Sequence, residues 1–190
     1  MCKMMLLAAA SGLMMMAPAT AQNAAPMAGT MTAEQVGAGP MVGTPSANYV
    51  AWAANSDMYE IQSSKLALSK AKSDQTKDFA REMIADHMTT TKSLMAALPN
   101  TEPKIPKPGK AMSEDNIAKI AALKAASADE FDAMYMQQQM QAHQAAWSLH
   151  KGYSLDGADP ALKQVATSAV PIIEKHLAHL KTGAGGMRAM

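Results

Sequence analysis

Apolar residues recur every three or four positions from about residue 46 to residue 182, which is the period of amphipathic helices. The first predicted helix runs from a Ser46 cap to about Ala71, with Val50, Ala54, Met58, Ile61 and Leu68 on one stripe. Trp52, Tyr59 and Leu66 widen that surface, and Glu60 adjoins it. A second helix starts at Ser73, with Asp74 in its first turn, and ends near Leu98, before Pro99. Its stripe is Phe79, Met83, Thr90, Leu94 and Leu98, interrupted in the middle by Asp86 and His87. The link between these helices is short enough to predict an antiparallel hairpin.

Residues 99–112, with four prolines, read as a crossover or exposed loop. Ser113-Glu114-Asp115 then caps a short helix carrying Ile117, Ile120, Ala121 and Leu123. A further helix is expected from Ser127 to about Gly152, with Phe131, Met134, Tyr135, Gln138 and Ala142 on one side. Met136, Met140, His143, Trp147 and His150 form the other side. The last helix follows an Asp159 cap and Pro160, with Leu162, Ala166, Ala169, Ile173, His176 and Leu180 in register. Pro171 should kink it and Gly183 should end it. The pattern predicts an all-α fold: an antiparallel four-helix bundle with one extra short helix, over residues 46–183.

The flanks differ. Lys3, the apolar run Met4–Met16 and Ala19-Thr20-Ala21 predict a signal peptide over residues 1–21, with export to a bacterial periplasm or beyond. The apolar run is too short to span a membrane. Residues 22–45, rich in Ala, Gly, Pro, Thr and Met, read as a disordered leader, and residues 184–190 as a disordered tail. Beyond Lys3 the chain is formally neutral, 17 − 1 = 16 basic residues against 16 acidic ones, which leaves no electrostatic footprint for nucleic acid. The only cysteine, Cys2, precedes the apolar run, so disulfide and thiol chemistry are not expected.

Catalytic triads, phosphate loops and HExxH motifs are absent from the sequence. What remains is a set of acids and histidines on inward stripes: Glu60, Asp86, His87, Asp132, His143 and His176. Carboxylates and imidazoles facing one another across a bundle suit metal, with iron, zinc or copper as candidates. Counting from the expected turn puts Glu60 and His87 level within roughly 3 Å. His143 and His176 count as staggered by about seven residues, roughly 10 Å, which predicts two tiers. His150 and His179, near helix C-termini, read as surface residues complementing the helix dipole.

Glu60-Ile61 with Leu66-Ala67, Phe79-Ala80-x-x-Met83-x-x-Asp86-His87, Phe131-Asp132-x-x-Tyr135 with His143, and Pro171 with His176 form an ordered set over residues 46–182. On these motifs the chain resembles the exported bacterial family catalogued as domain of unknown function 4142. The resemblance implies a ferritin-like helical bundle and an envelope location, and brings no activity with it. The paired Glu-x-x-His motifs of di-iron bundles are absent from the sequence. The expectation is an exported, non-enzymatic bundle linked to envelope stress or metal handling. The alternatives are a metal-binding protein using the inward Glu and His residues, and a module that binds an envelope protein partner through its leader or its Pro-rich loop.

Overall fold

The structure, a computed structural model, describes residues 31–187. The predicted signal peptide, residues 1–21, and residues 22–30 of the predicted leader lie outside the described residues. Four long helices, α2 (Ser46–Lys70), α3 (Asp74–Ala97), α5 (Phe131–Asp156) and α6 (Pro160–Met187), pack as a helical bundle. A short helix α4 (Glu114–Ala125) lies against α2 and α5, and a single turn, α1 (Ala33–Val36), precedes them all. Among the described residues no helix is long and apolar enough to cross a membrane.

Local chemistry sets the helix ends. The Ser73 and Ser113 hydroxyls accept from the third amides of α3 and α4, as their sequences predict. Asp159 caps α6 by accepting from the Leu162 amide, and its second oxygen takes the Glu102 amide, which pins the Pro-rich loop. Ser46 behaves otherwise. It lies inside α2 with its hydroxyl 2.6 Å from the Tyr153 hydroxyl.

The core has two apolar ends. Tyr49, Val50 and Ala54 of α2 meet Leu94 of α3, Leu149 and Tyr153 of α5 and Leu162 of α6 at one end. Ala67 of α2 meets Phe79 and Met83 of α3, Phe131 and Tyr135 of α5 and Leu180 of α6 at the other, where α4 adds Leu123. The start of α2 thus packs on the end of α3, so the two run in opposite directions. Between the ends lies a buried polar layer that includes Asp57, Glu60, Ser63, His87, Gln139, His143 and His176.

Three boundaries differ from the sequence expectation. Residues 31–45, expected as structureless leader, form an arm held to α5 and α6. A Thr32–Gln35 capping box closes α1, and Gly37 ends it with φ near 80°, where glycine is favoured. Val36 inserts among Ala146, Trp147, Ala169, Ile173 and Leu177, and Glu174 accepts from both the Met31 amide and the Trp147 indole. Second, α5 continues through Gly152 to Asp156. That glycine serves close approach: a Cβ there would lie 1.9 Å from the Met41 carbonyl oxygen. Third, α6 passes through Pro171 and Gly183 without interruption.

His150, expected at the surface, is buried, and its Nδ1 lies 3.0 Å from the Tyr49 hydroxyl. Tyr49 in turn stacks on Tyr153. The helix end that would have exposed His150 lies further along, because α5 does not stop at Gly152.

Gly152→Ala should force the arm off α5 at a cost of about 1–3 kcal/mol. Limited proteolysis is the check: cutting between residues 37 and 44 should quicken while α2–α6 stay protected, and unchanged cutting would refute it. His150 supplies a pH test. Burial pushes its imidazole down to about 4, against the pull of Asp57 and with a small push from His87. Unfolded, the same group protonates near 6.5. Between those values the unfolded chain binds a proton that the folded chain refuses. Stability should therefore fall as the pH drops from 6.5 toward 4, by up to about 3 kcal/mol. Urea titrations should show a shallower fall in His150→Gln.

Candidate metal centre

Three histidines from three helices meet in the polar layer: His87 from α3, His143 from α5 and His176 from α6. Their ring centroids lie 5.6 Å (87–143), 5.6 Å (87–176) and 5.1 Å (143–176) apart. One ring nitrogen of each lies within 4.8 Å of the other two. All three are buried, at 3%, 0% and 0% exposure.

The outward nitrogen of each ring is engaged by an acceptor. His87 Nδ1 lies 2.8 Å from Asp57 Oδ1, His143 Nδ1 lies 2.8 Å from the Gln139 carbonyl, and His176 Nε2 lies 3.0 Å from Asp86 Oδ2. A carbonyl or carboxylate oxygen accepts only, so each of these nitrogens carries the hydrogen. In the neutral rings the second nitrogens carry lone pairs: Nε2 of His87, Nε2 of His143 and Nδ1 of His176. Those of His143 and His176 face each other at 3.1 Å, and that of His87 has no hydrogen-bond partner. Two opposed lone pairs repel unless a proton or a metal ion lies between them. A four-coordinate ion with 2.0–2.1 Å bonds would set nitrogens about 3.3 Å apart. A second partner on the far side of each imidazole is also what metal-bound histidines show.

Titration of the layer follows from burial and neighbouring charge. Burial, then the charges of His87 and His176, pushes His143 well below the ordinary imidazole range, and the Gln139 carbonyl opposes only in part. His176 is pushed down to about 4 by burial and by His87, against its bond to Asp86. For His87, burial is overcome by the bond to Asp57 and the fields of Glu60, Asp57 and Asp86, so its affinity for a proton rises. Of the three rings, His87 is thus the one whose proton affinity is raised.

The candidates named from sequence separate into groups. Glu60 stands beside the histidines, with Oε1 3.8 Å from His143 Nδ1, fully buried and with neither oxygen hydrogen-bonded. Burial pushes its carboxyl up to about 8. Asp86, only part-buried, reaches the cluster through His176. Asp132 lies elsewhere, eleven residues or about 16 Å along α5 from His143. Its two oxygens accept from the Lys72 and Ser73 amides, so it ties α5 to the start of α3.

The two-tier expectation for His143 and His176 is overturned. Because α5 ends at Asp156, His143 sits 156 − 143 = 13 residues before the turn, and His176 sits 176 − 160 = 16 after it. The offset is three residues, about 4.5 Å, which side chains bridge.

Asp57 was missing from the sequence candidates. It accepts from the Thr90 hydroxyl at 3.0 Å and the Thr91 hydroxyl at 2.7 Å as well as from His87. Its signal was present: Asp57 stands three residues before Glu60 and three after Ala54, on the buried face of α2.

A family model described as a domain of unknown function (DUF4142) matches residues 31–182. The chain is a DUF4142 protein. The match takes in the arm from Met31, where the motifs seen in the sequence began only at residue 46, so the DUF4142 unit includes the segment that packs on α5 and α6. No curated protein and no solved structure matches the chain.

Within this DUF4142 bundle Asp57 should be the most costly side chain of the layer to lose. Removing one partner of a buried ion pair costs about 3–5 kcal/mol, because the other charge stays behind. Urea unfolding of chelator-treated Asp57→Ala should show a loss of that size. Asp57→Asn, which keeps an acceptor for the threonines, should lose less.

Proposed function

We propose that this is an exported ferritin-like bundle that binds one divalent transition-metal ion through His87, His143 and His176. One observation carries the reading: one nitrogen from each of three buried imidazoles lies within 4.8 Å of the other two, and one nitrogen of each ring is held by an acceptor. Neutral imidazole suits zinc, copper and iron, so the donor set fits all three metals. Charge supports a cation: Asp57 is bonded to His87, and Asp86, shared with Lys175, is bonded to His176. Three protein ligands leave a coordination position open. A role in holding or passing on metal in the cell envelope fits this set, and the signal-like sequence of residues 1–21 supports export.

The protein purified with its own leader from cells should carry about one equivalent of metal per chain by elemental analysis. His143→Ala should lose it while keeping its helical circular dichroism, and Asp132→Ala should retain it. Substoichiometric metal, unchanged by His143→Ala, would refute the proposal.

A further inference from the structure

The three histidines are sealed from solvent, so an ion needs a way in. The bundle closes most of its sides. The α2–α3 and α5–α6 pairs are joined by short links and pack along their lengths, and α4 lies over α2 and α5. The arm covers part of the α5–α6 face. The seam between α3 and α6 is crossed at one end by the turn Leu98–Asn100, and a small cleft of about 40 Å³ beside Thr90 and Ala169 opens on it.

A chain of polar contacts crosses that seam. Asp86 Oδ2 lies 3.0 Å from Nε2 of buried His176 and 2.7 Å from the Lys175 ammonium. The same ammonium lies 2.8 Å from Glu82 Oε1. Glu82, Asp86 and His176 each bring a donor atom within 4.8 Å of the others. Both carboxylates are part-exposed, with side chains at 35% and 28% exposure, whereas His176 is at 0%. This polar group therefore spans the step from solvent to a ligand of the proposed site, and the position between its acids already holds a cation, Lys175. At the inner end, buried His87 Nε2 has no partner.

We infer that metal reaches the three histidines across the α3–α6 seam, captured first by Glu82 and Asp86, with Lys175 as the displaceable cation that guards this step. The inference rests on the three-histidine reading and adds its route. An incoming divalent ion displaces the Lys175 ammonium from the two carboxylates, and the long lysine side chain swings into solvent. The ion then passes to His176 when that ring turns from Asp86. Glu82 speeds capture by attraction, and Lys175 slows it by occupying the position and by repulsion. Neither residue is a ligand in the final site, so both act on rate more than on the amount bound.

Stopped-flow loading of chelator-treated protein with Co²⁺, followed by the visible band of nitrogen-bound cobalt, tests the route. Glu82→Gln should load about fivefold or more slowly, and Lys175→Met faster by a similar factor. All should end at one equivalent. Both differences should shrink as salt is raised. Asp129→Asn, which removes an exposed charge paired with Lys72 on another part of the surface, should load like the wild type. Loading of Glu82→Gln and Lys175→Met at the wild-type rate, in protein that does take up one equivalent, would overturn the route alone. A wild-type protein that takes up no cobalt would overturn the three-histidine reading beneath it.

Discussion

A polar layer through the middle of an apolar bundle is tolerable only if its charges find partners, because an isolated buried charge costs more than any single helix contact returns. Here the requirement is met largely by Asp57. It lies on α2, faces α3, and gathers His87, Thr90 and Thr91 onto one carboxylate. That fixes the rotation of both helices about their axes, since no other setting brings these groups together. His87, once fixed, sets the electrostatics of the two neutral histidines across from it. Glu60 meets the same requirement differently: with no hydrogen-bond partner it keeps its proton up to about pH 8.

The number and order of long helices were legible because hydrophobic period, capping residues and prolines all point the same way in this sequence. Asp159-Pro160 opens α6 and Ser73 opens α3 where the rules for helix starts put them. The histidines were legible as a set but not as a cluster. Their levels depend on where α5 ends, and Gly152 imitates a helix stop. Its real constraint, the Met41 backbone, comes from more than a hundred residues away and leaves no local mark. The arm was hidden for a related reason. Composition of residues 22–45 argues for disorder, whereas its anchoring depends on a few residues, Val36 and the Thr32–Gln35 box, and on acceptors supplied by distant helices. Asp132 shows the opposite error: an inward acid on a helix can serve a backbone amide of its neighbour as readily as an ion.

The same layer concentrates fixed charge in the middle of the bundle. Apolar clusters above and below exclude water, so the dielectric around the histidines is low and every charge matters more than at the surface. Carboxylates hydrogen-bonded to two of the rings, from α2 and from α3, supply fixed negative charge without themselves filling the centre. The histidines come from three helices and Asp57, the partner of one of them, from the fourth, so the geometry is set by the whole bundle and not by any one loop.

The arm joins the two extremes of the described chain. Met31 bonds to Glu174, 143 residues later, so this anchor of the first described segment cannot form until the last helix is in place. During synthesis it emerges early and waits. Contacts this distant in sequence form late, after the loops between them have closed. Complete docking of the arm is therefore a natural last act of folding, and a chain cut short before α6 would leave Val36 with only its α5 neighbours, Ala146 and Trp147.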